Sequence, residues 1–182
     1  MPVKDCKTEK HIIATAMKIF FREGRFNATT QDIADAAGIN RTLIHYYFRS
    51  KELLLLTAFE KTQEEYNKKS DAILLSDLPF REKTERFIDD FLKKLEDYPY
   101  LEPFWSSEIM YQQMGKASVL PVPENPPPPL LKYIKEIKKE MEKGTICKIK
   151  PIHFLMNLFS LMVHPILMKP LQMNLFGMDE NG

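Results

Sequence analysis

Ala28-Thr29-Thr30-Gln31-Asp32-Ile33-Ala34-Asp35-Ala36-Ala37-Gly38-Ile39-Asn40-Arg41-Thr42-Leu43-Ile44-His45-Tyr46-Tyr47-Phe48 reads as two short helices joined by a tight turn. Thr29 or Thr30 is placed to cap the first helix, over about Gln31 to Ala37. Thr29-x-x-Asp32 approximates a capping box, in which two side chains satisfy amides left free at a helix start. Gly38 turns the chain, as a residue at ease in left-handed conformations does at a helix end. Asn40 then caps a helix of about Arg41 to Phe48. At about 100° per residue, Arg41, His45, Thr42 and Tyr46 fall on one side of that helix, and Leu43, Tyr47, Ile44 and Phe48 on the other. One side is oily and expected to pack. The other is polar, carries no acid, and offers groups suited to base edges and phosphates.

Before this stretch, a helix is expected from about Thr8 to Glu23. Its apolar stripe is Ile12, Ile13, Ala16, Met17, Phe20 and Phe21. Three short helices with a glycine turn before the third make a helix-turn-helix pattern. Ser50 can cap a fourth helix starting at Lys51-Glu52. It opens with Leu53-Leu54-Leu55-Leu56, apolar on every side, so burial on more than one face is expected.

Helical periodicity continues to the end, and strict apolar/polar alternation is absent. The expected fold is therefore all-α, with a three-helix domain followed by a larger helical domain. The boundary falls at residues 1–52 and 53–182. Further helices are expected over about Pro79 to Asp97, Leu101 to Met114, a stretch from Leu130, and Pro151 to Met168. Residues 121–129 hold six prolines and read as a stiff, extended linker that cannot be helical. After Pro170 no full ninth helix is visible. The apolar run Ile152 to Met168 contains His153, Asn157, Ser160, His164 and Pro165, which favours a core or interface helix over a membrane span.

Of the 182 residues, 44% are hydrophobic and 28% charged, with a net charge of +1, an ordinary globular composition. The total charge does not mark a nucleic-acid binder, but a local positive field can still attract a polyanion. Residues 1–52 carry nine basic and six acidic side chains, and no acid occurs from Ala36 to Lys51. Cys6 and Cys147 make neither a disulfide framework nor a metal site, and no cofactor motif is found. The charged N-terminus lacks the apolar core of a secretion signal, so a reducing cytoplasm is expected.

Residues 8–56 resemble the N-terminal DNA-binding domain of the TetR family of transcriptional regulators. The matching string is Ile12…Ala16…Phe20…Gly24…Ala28-Thr29-Thr30-x-x-Ile33-Ala34-x-x-Ala37-Gly38-Ile39-Asn40-x-x-Leu43-Ile44-His45-Tyr46-Tyr47-Phe48-x-Ser50-Lys51-Glu52-x-Leu54. The resemblance implies a homodimer that binds a pseudo-palindromic double-stranded DNA operator. It implies repression as the default output, with a C-terminal domain that dimerises and takes a small-molecule effector. It places Thr30, Thr42, Tyr46 and Lys51 on phosphates and Asn40, Arg41 and His45 near bases; Asn40 and Thr29 or Thr30 also sit at helix starts, whose free amides favour phosphate. The chain departs at His45 and Tyr47, where the family more often has Tyr first and His second. His45 is thus open to reading a base, holding a phosphate or packing on a neighbouring helix.

An apolar, adaptable effector cavity is suggested by Phe87, Phe91, Trp105, Tyr111 and the Met-rich eighth helix, with Met156, Asn157 and Ser160. Each is more readily read as core. His153, Asn157, Ser160 and His164 form a polar stripe that suits a dimer seam or an exposed side before a pocket. His153 and His164 lie about 16 Å apart along a helix, too far to share a metal. Two other classes compete. One is a helix-turn-helix protein that binds DNA for architecture. The other is a helical-body enzyme, which lacks any phosphate loop, nucleophile motif or ligand spacing, and no catalytic residue is assigned.

Overall fold

The computed structural model describes residues 5–120 and 125–177. They contain nine α-helices: α1 Cys6–Met17, α2 Thr30–Ala37, α3 Arg41–Phe48, α4 Lys51–Leu75, α5 Phe80–Asp97, α6 Leu101–Gln113, α7 Pro128–Lys143, α8 Pro151–Leu167 and α9 Lys169–Phe176. No strand occurs among the described residues, and the fold is all-α.

Two compact units form, and neither is a single run of chain. The first comprises residues 5–67 with 94–120, the second 68–93 with 125–177. In the first, α1 starts on Asp5, whose side chain accepts from the Lys7 amide. It ends in a π-helical turn, Lys18–Arg22, where the Glu23 amide donates to the Lys18 carbonyl at 3.0 Å. A π turn advances less per residue than an α turn, so consecutive side chains stay close in direction. Ile19, Phe20 and Phe21 are all buried as a result. This widened turn receives the start of α6: the Tyr100 amide donates to the Phe21 carbonyl at 3.0 Å. Gly24, at φ +69°, lies beneath the Tyr100 ring, and a Cβ there would meet Cε1 at 2.8 Å. Both the conformation and the close approach call for glycine.

The core of this unit joins Ile12, Phe20, Phe21, Ile33 and Ile44 to Leu54, Phe59, Leu101 and Phe104. Packing thus does not follow the boundary at residue 52, because α4 and α6 bury apolar side chains against the first three helices. The four-leucine run is not buried all round. Leu54 and Leu55 are buried, but Leu53 is 47% exposed, since a helix turns each successive side chain through a new direction.

The second unit packs Phe87 and Phe91 of α5 edge-on against Phe159 of α8, at 5.9 and 5.7 Å between ring centres. Tyr133 of α7 is fully buried and stacks on Phe80 at 5.6 Å. Burial pushes the Tyr133 phenol up. The Thr84 hydroxyl donates to the Phe80 carbonyl and receives the Tyr133 hydroxyl at 2.6 Å. Lys83, also buried, pairs with both carboxylate oxygens of Glu136, at 2.9 and 2.7 Å.

Two expectations at the prolines are corrected. Pro128 and Pro129 are not linker but the first turn of α7, where a missing N–H costs nothing. Residues 121–124 of the expected linker lie outside the described residues. Likewise, where no full ninth helix is expected after Pro170, that proline stands in the first turn of a short one. No single helix among the described residues is long and apolar enough to cross a membrane. Only α8 and α9 together reach that composition, and they are bent by 64° at their junction.

Candidate nucleic-acid interface

The capping box is present. The Thr29 side chain accepts from the Asp32 amide, and Asp32 takes both the amide and the hydroxyl of Thr29 at 2.7 Å. Those donors hold the Asp32 carboxyl below its ordinary range, led by the Thr29 backbone amide. Gly38 closes α2 at φ 63°. Asn40 then starts α3, its side-chain oxygen accepting from the Thr42 amide at 2.8 Å.

With its start fixed, α3 buries Ile44 and Phe48 and turns Arg41, Thr42, His45 and Tyr46 to solvent. Leu43 departs from the expected apolar side: it is 36% exposed and sits at the rim. Tyr47 is half-buried.

The exposed side chains are braced. Arg41 Nε donates to Thr30 Oγ1 at 3.0 Å, bringing the start of one helix to the start of the next. Thr30 itself is buried, which leaves the rest of the guanidinium as the outward group. Tyr46 meets Tyr47 edge-on at 5.2 Å. A ring nitrogen of His45, Nδ1, lies 3.2 Å from the Arg49 carbonyl. Arg49 has φ 62°, the only positive value at a non-glycine residue among those described. Lys51 is half-buried, and its Nζ donates to the Phe26 carbonyl at 2.7 Å.

Tyr47 is a residue that helical spacing assigned only to packing. Its hydroxyl accepts from the Asp5 amide at 3.0 Å and donates to the Asp5 carbonyl at 3.3 Å. The departure from the family pattern at this position was the available signal, since a phenol reaches further than an imidazole.

Such an arrangement can present a cation, hydroxyls and an imidazole to a polyanion from a fixed backbone. Residues 12–58 match the family model for bacterial regulatory proteins of the tetR family. The chain carries a TetR-family DNA-binding domain. Over 86 residues it is 31% identical to the HTH-type transcriptional repressor NicS of Pseudomonas putida, covering 47% of this chain and 40% of that protein. Over 79 residues it is 30% identical to the HTH-type transcriptional regulator BetI of Agrobacterium fabrum, covering 43% and 38%. The matches thus span about two-fifths of these relatives. In fold it is similar to the TetR family transcriptional regulator PfmR of Thermus thermophilus. The TM-score is 0.59 at 18% identity, over 90% of this chain and 86% of that one. The family that the matched model describes, and the relatives NicS and BetI, are regulators.

The expected effector-lining residues are distributed over both units. Phe87 and Phe91 are buried in the second unit, whereas Trp105 belongs to the first. Tyr111, Met156, Asn157 and Ser160 face solvent. An open depression of about 280 Å³ in the second unit, bordered by Phe80, Lys132, Glu136 and Lys139, contains none of them. A sequence pattern marks apolar side chains but not whether they share a cavity. No group of three or more His, Cys, Asp or Glu gathers as a metal site among the described residues.

Proposed function

We propose that this chain is a homodimeric repressor that binds a pseudo-palindromic operator and releases it when a small apolar or amphipathic effector binds. The observation that carries this is the segregation of α3: Ile44 fully buried, with Arg41, Thr42, His45 and Tyr46 outward on a capped, braced helix. In this reading α3 enters a major groove. Arg41, Asn40 and His45 meet base edges, while Thr29, Thr30, Thr42, Tyr46 and Lys51 hold the sugar-phosphate backbone. Because Thr30 and Lys51 are engaged inside the protein, their first task is to position α3.

Residues 1–52 form the operator-binding part and 53–182 the effector-binding and dimerising part. A second copy is expected on α8 and α9, where Ile152, Met156, Leu161, Leu175 and Phe176 are exposed. The effector acts by favouring the arrangement in which the paired recognition helices no longer fit successive grooves. α4 is the element through which it acts, since its leucines pack against the DNA-binding helices. The site of action is the cytoplasm, where operator DNA is reached directly.

Selection of genomic fragments on the purified full chain, followed by anisotropy titrations at several salt concentrations, tests the reading. A few preferred fragments with a twofold-symmetric core are expected. Many unrelated fragments bound alike would favour an architectural role, and no duplex binding at low salt would end the DNA-binding proposal.

A further inference from the structure

Gln63 of α4, Lys94 of α5 and Glu102 of α6 form a polar cluster inside the first unit, with 9%, 6% and 8% of their surfaces exposed. Lys94 Nζ donates to Glu102 Oε1 at 2.6 Å and to Gln63 Oε1 at 3.2 Å. The ammonium fixes the orientation of the amide, because a flip would aim N–H at N–H. Gln63 Nε2 is therefore turned away from Lys94. It is buried and has no hydrogen-bond partner among the described residues. Buried donors without an acceptor are rare in folded proteins and call for an explanation.

The surroundings are aromatic. One turn either side of Gln63 on α4 stand Phe59 and Tyr66. Phe59 meets Trp105 edge-on at 6.0 Å, and Tyr66 meets Tyr98 edge-on at 6.1 Å. Trp105 is half-buried.

We propose that Gln63 Nε2 is the recognition donor for a small aromatic effector that carries a neutral carbonyl-type oxygen. The inference rests on the effector-responsive reading above. Lys94 and Glu102 already neutralise one another, so an entering carboxylate or ammonium would find no free counter-charge. A neutral acceptor satisfies the amide without disturbing the pair. The ring enters by displacing Trp105 and lies against Phe59 and Tyr66, whose faces and edges suit a second aromatic.

Trp105 is the sole tryptophan, so its fluorescence reports directly on the site. The full chain is titrated with acetophenone, with ethylbenzene, which has the same shape without the acceptor, and with benzoate. Acetophenone is expected to bind saturably and about tenfold more tightly than ethylbenzene, with benzoate no tighter than ethylbenzene. Gln63→Leu should reduce acetophenone to the level of ethylbenzene, and Gln63→Met, a softer replacement, should do the same if the leucine variant does not fold. Equal binding of acetophenone and ethylbenzene overturns the proposal. So does tightest binding by benzoate, no binding by any probe, or a preference that survives loss of the amide. Duplex binding is measured on the same preparation. A chain that binds its operator but shows no carbonyl preference loses this inference alone, and one that ignores DNA loses the regulator reading.

Discussion

The Tyr47 hydroxyl grips both backbone groups of Asp5, at 3.0 and 3.3 Å, fastening the start of α1 to α3 across 42 residues. Asp5 in turn caps α1 through its side chain. One residue thus starts the first helix and anchors the third. Tyr47→Phe removes the clamp. A loss of about 1 kcal/mol in urea denaturation is expected, with weaker operator binding at unchanged helix content. Unchanged operator affinity would show that the clamp serves folding alone.

Arg41 and Thr30 are expected to act as one unit, because Nε is held by Oγ1 at 3.0 Å. Arg41→Ala should weaken operator binding by about 1–3 kcal/mol per half-site and relax preference at one base position. Thr30→Ala should cost less, and the double variant little more than Arg41→Ala alone. By contrast, Tyr46→Ala or Lys51→Ala should weaken all duplexes alike, and only Lys51→Ala, which removes a cation, should flatten the salt dependence. Anisotropy titrations on operator and scrambled duplexes separate the two patterns. Equal losses on both duplexes for Arg41→Ala would remove its base-reading role.

Lys83 and Glu136 should respond asymmetrically. The lysine side chain is 2% exposed and the glutamate side chain 24%. Glu136→Gln strands a buried cation, which typically costs about 3–5 kcal/mol. Lys83→Met leaves a carboxylate that can still reach water, so its cost should be much smaller. Denaturation midpoints of the two variants decide it, and equal losses would mean that both ends of the pair are effectively buried.

Asp32 links helix capping to acid stability. Its carboxyl is held below the ordinary 3.8 by the Thr29 amide and hydroxyl. A group whose native value is depressed stabilises the fold above its unfolded value, and that contribution is lost as pH falls through the lowered native value. Asp32→Asn should therefore be less stable than the parent near neutrality. The two melting curves should converge as pH falls below the lowered native value, where the parent carboxyl is also protonated. A gap that persists in acid would mean that the carboxyl charge is not what the capping box uses.

What the sequence settled by itself was local. Thr29, Asp32, Gly38 and Asn40 set two helix boundaries because capping and left-handed turns depend on residues a few positions apart. The alternation of oily and polar positions in α3 placed Ile44 inside and Arg41 outside, since one helix has only two sides to divide. The prolines misled at Pro128 and Pro129 for a related reason: proline is excluded from a helix interior yet welcome in its first turn, and composition does not tell which turn is first.

Tertiary structure decided everything that needed two distant segments at once. That Tyr47 holds Asp5, that Arg41 holds Thr30, and that Gln63 is left with an unanswered amide beside Lys94 and Glu102 follow from where separate helices come to rest. Local hydrogen bonds are written into neighbouring residues. Long-range ones exist only after the apolar faces have packed, and packing is a property of the whole chain.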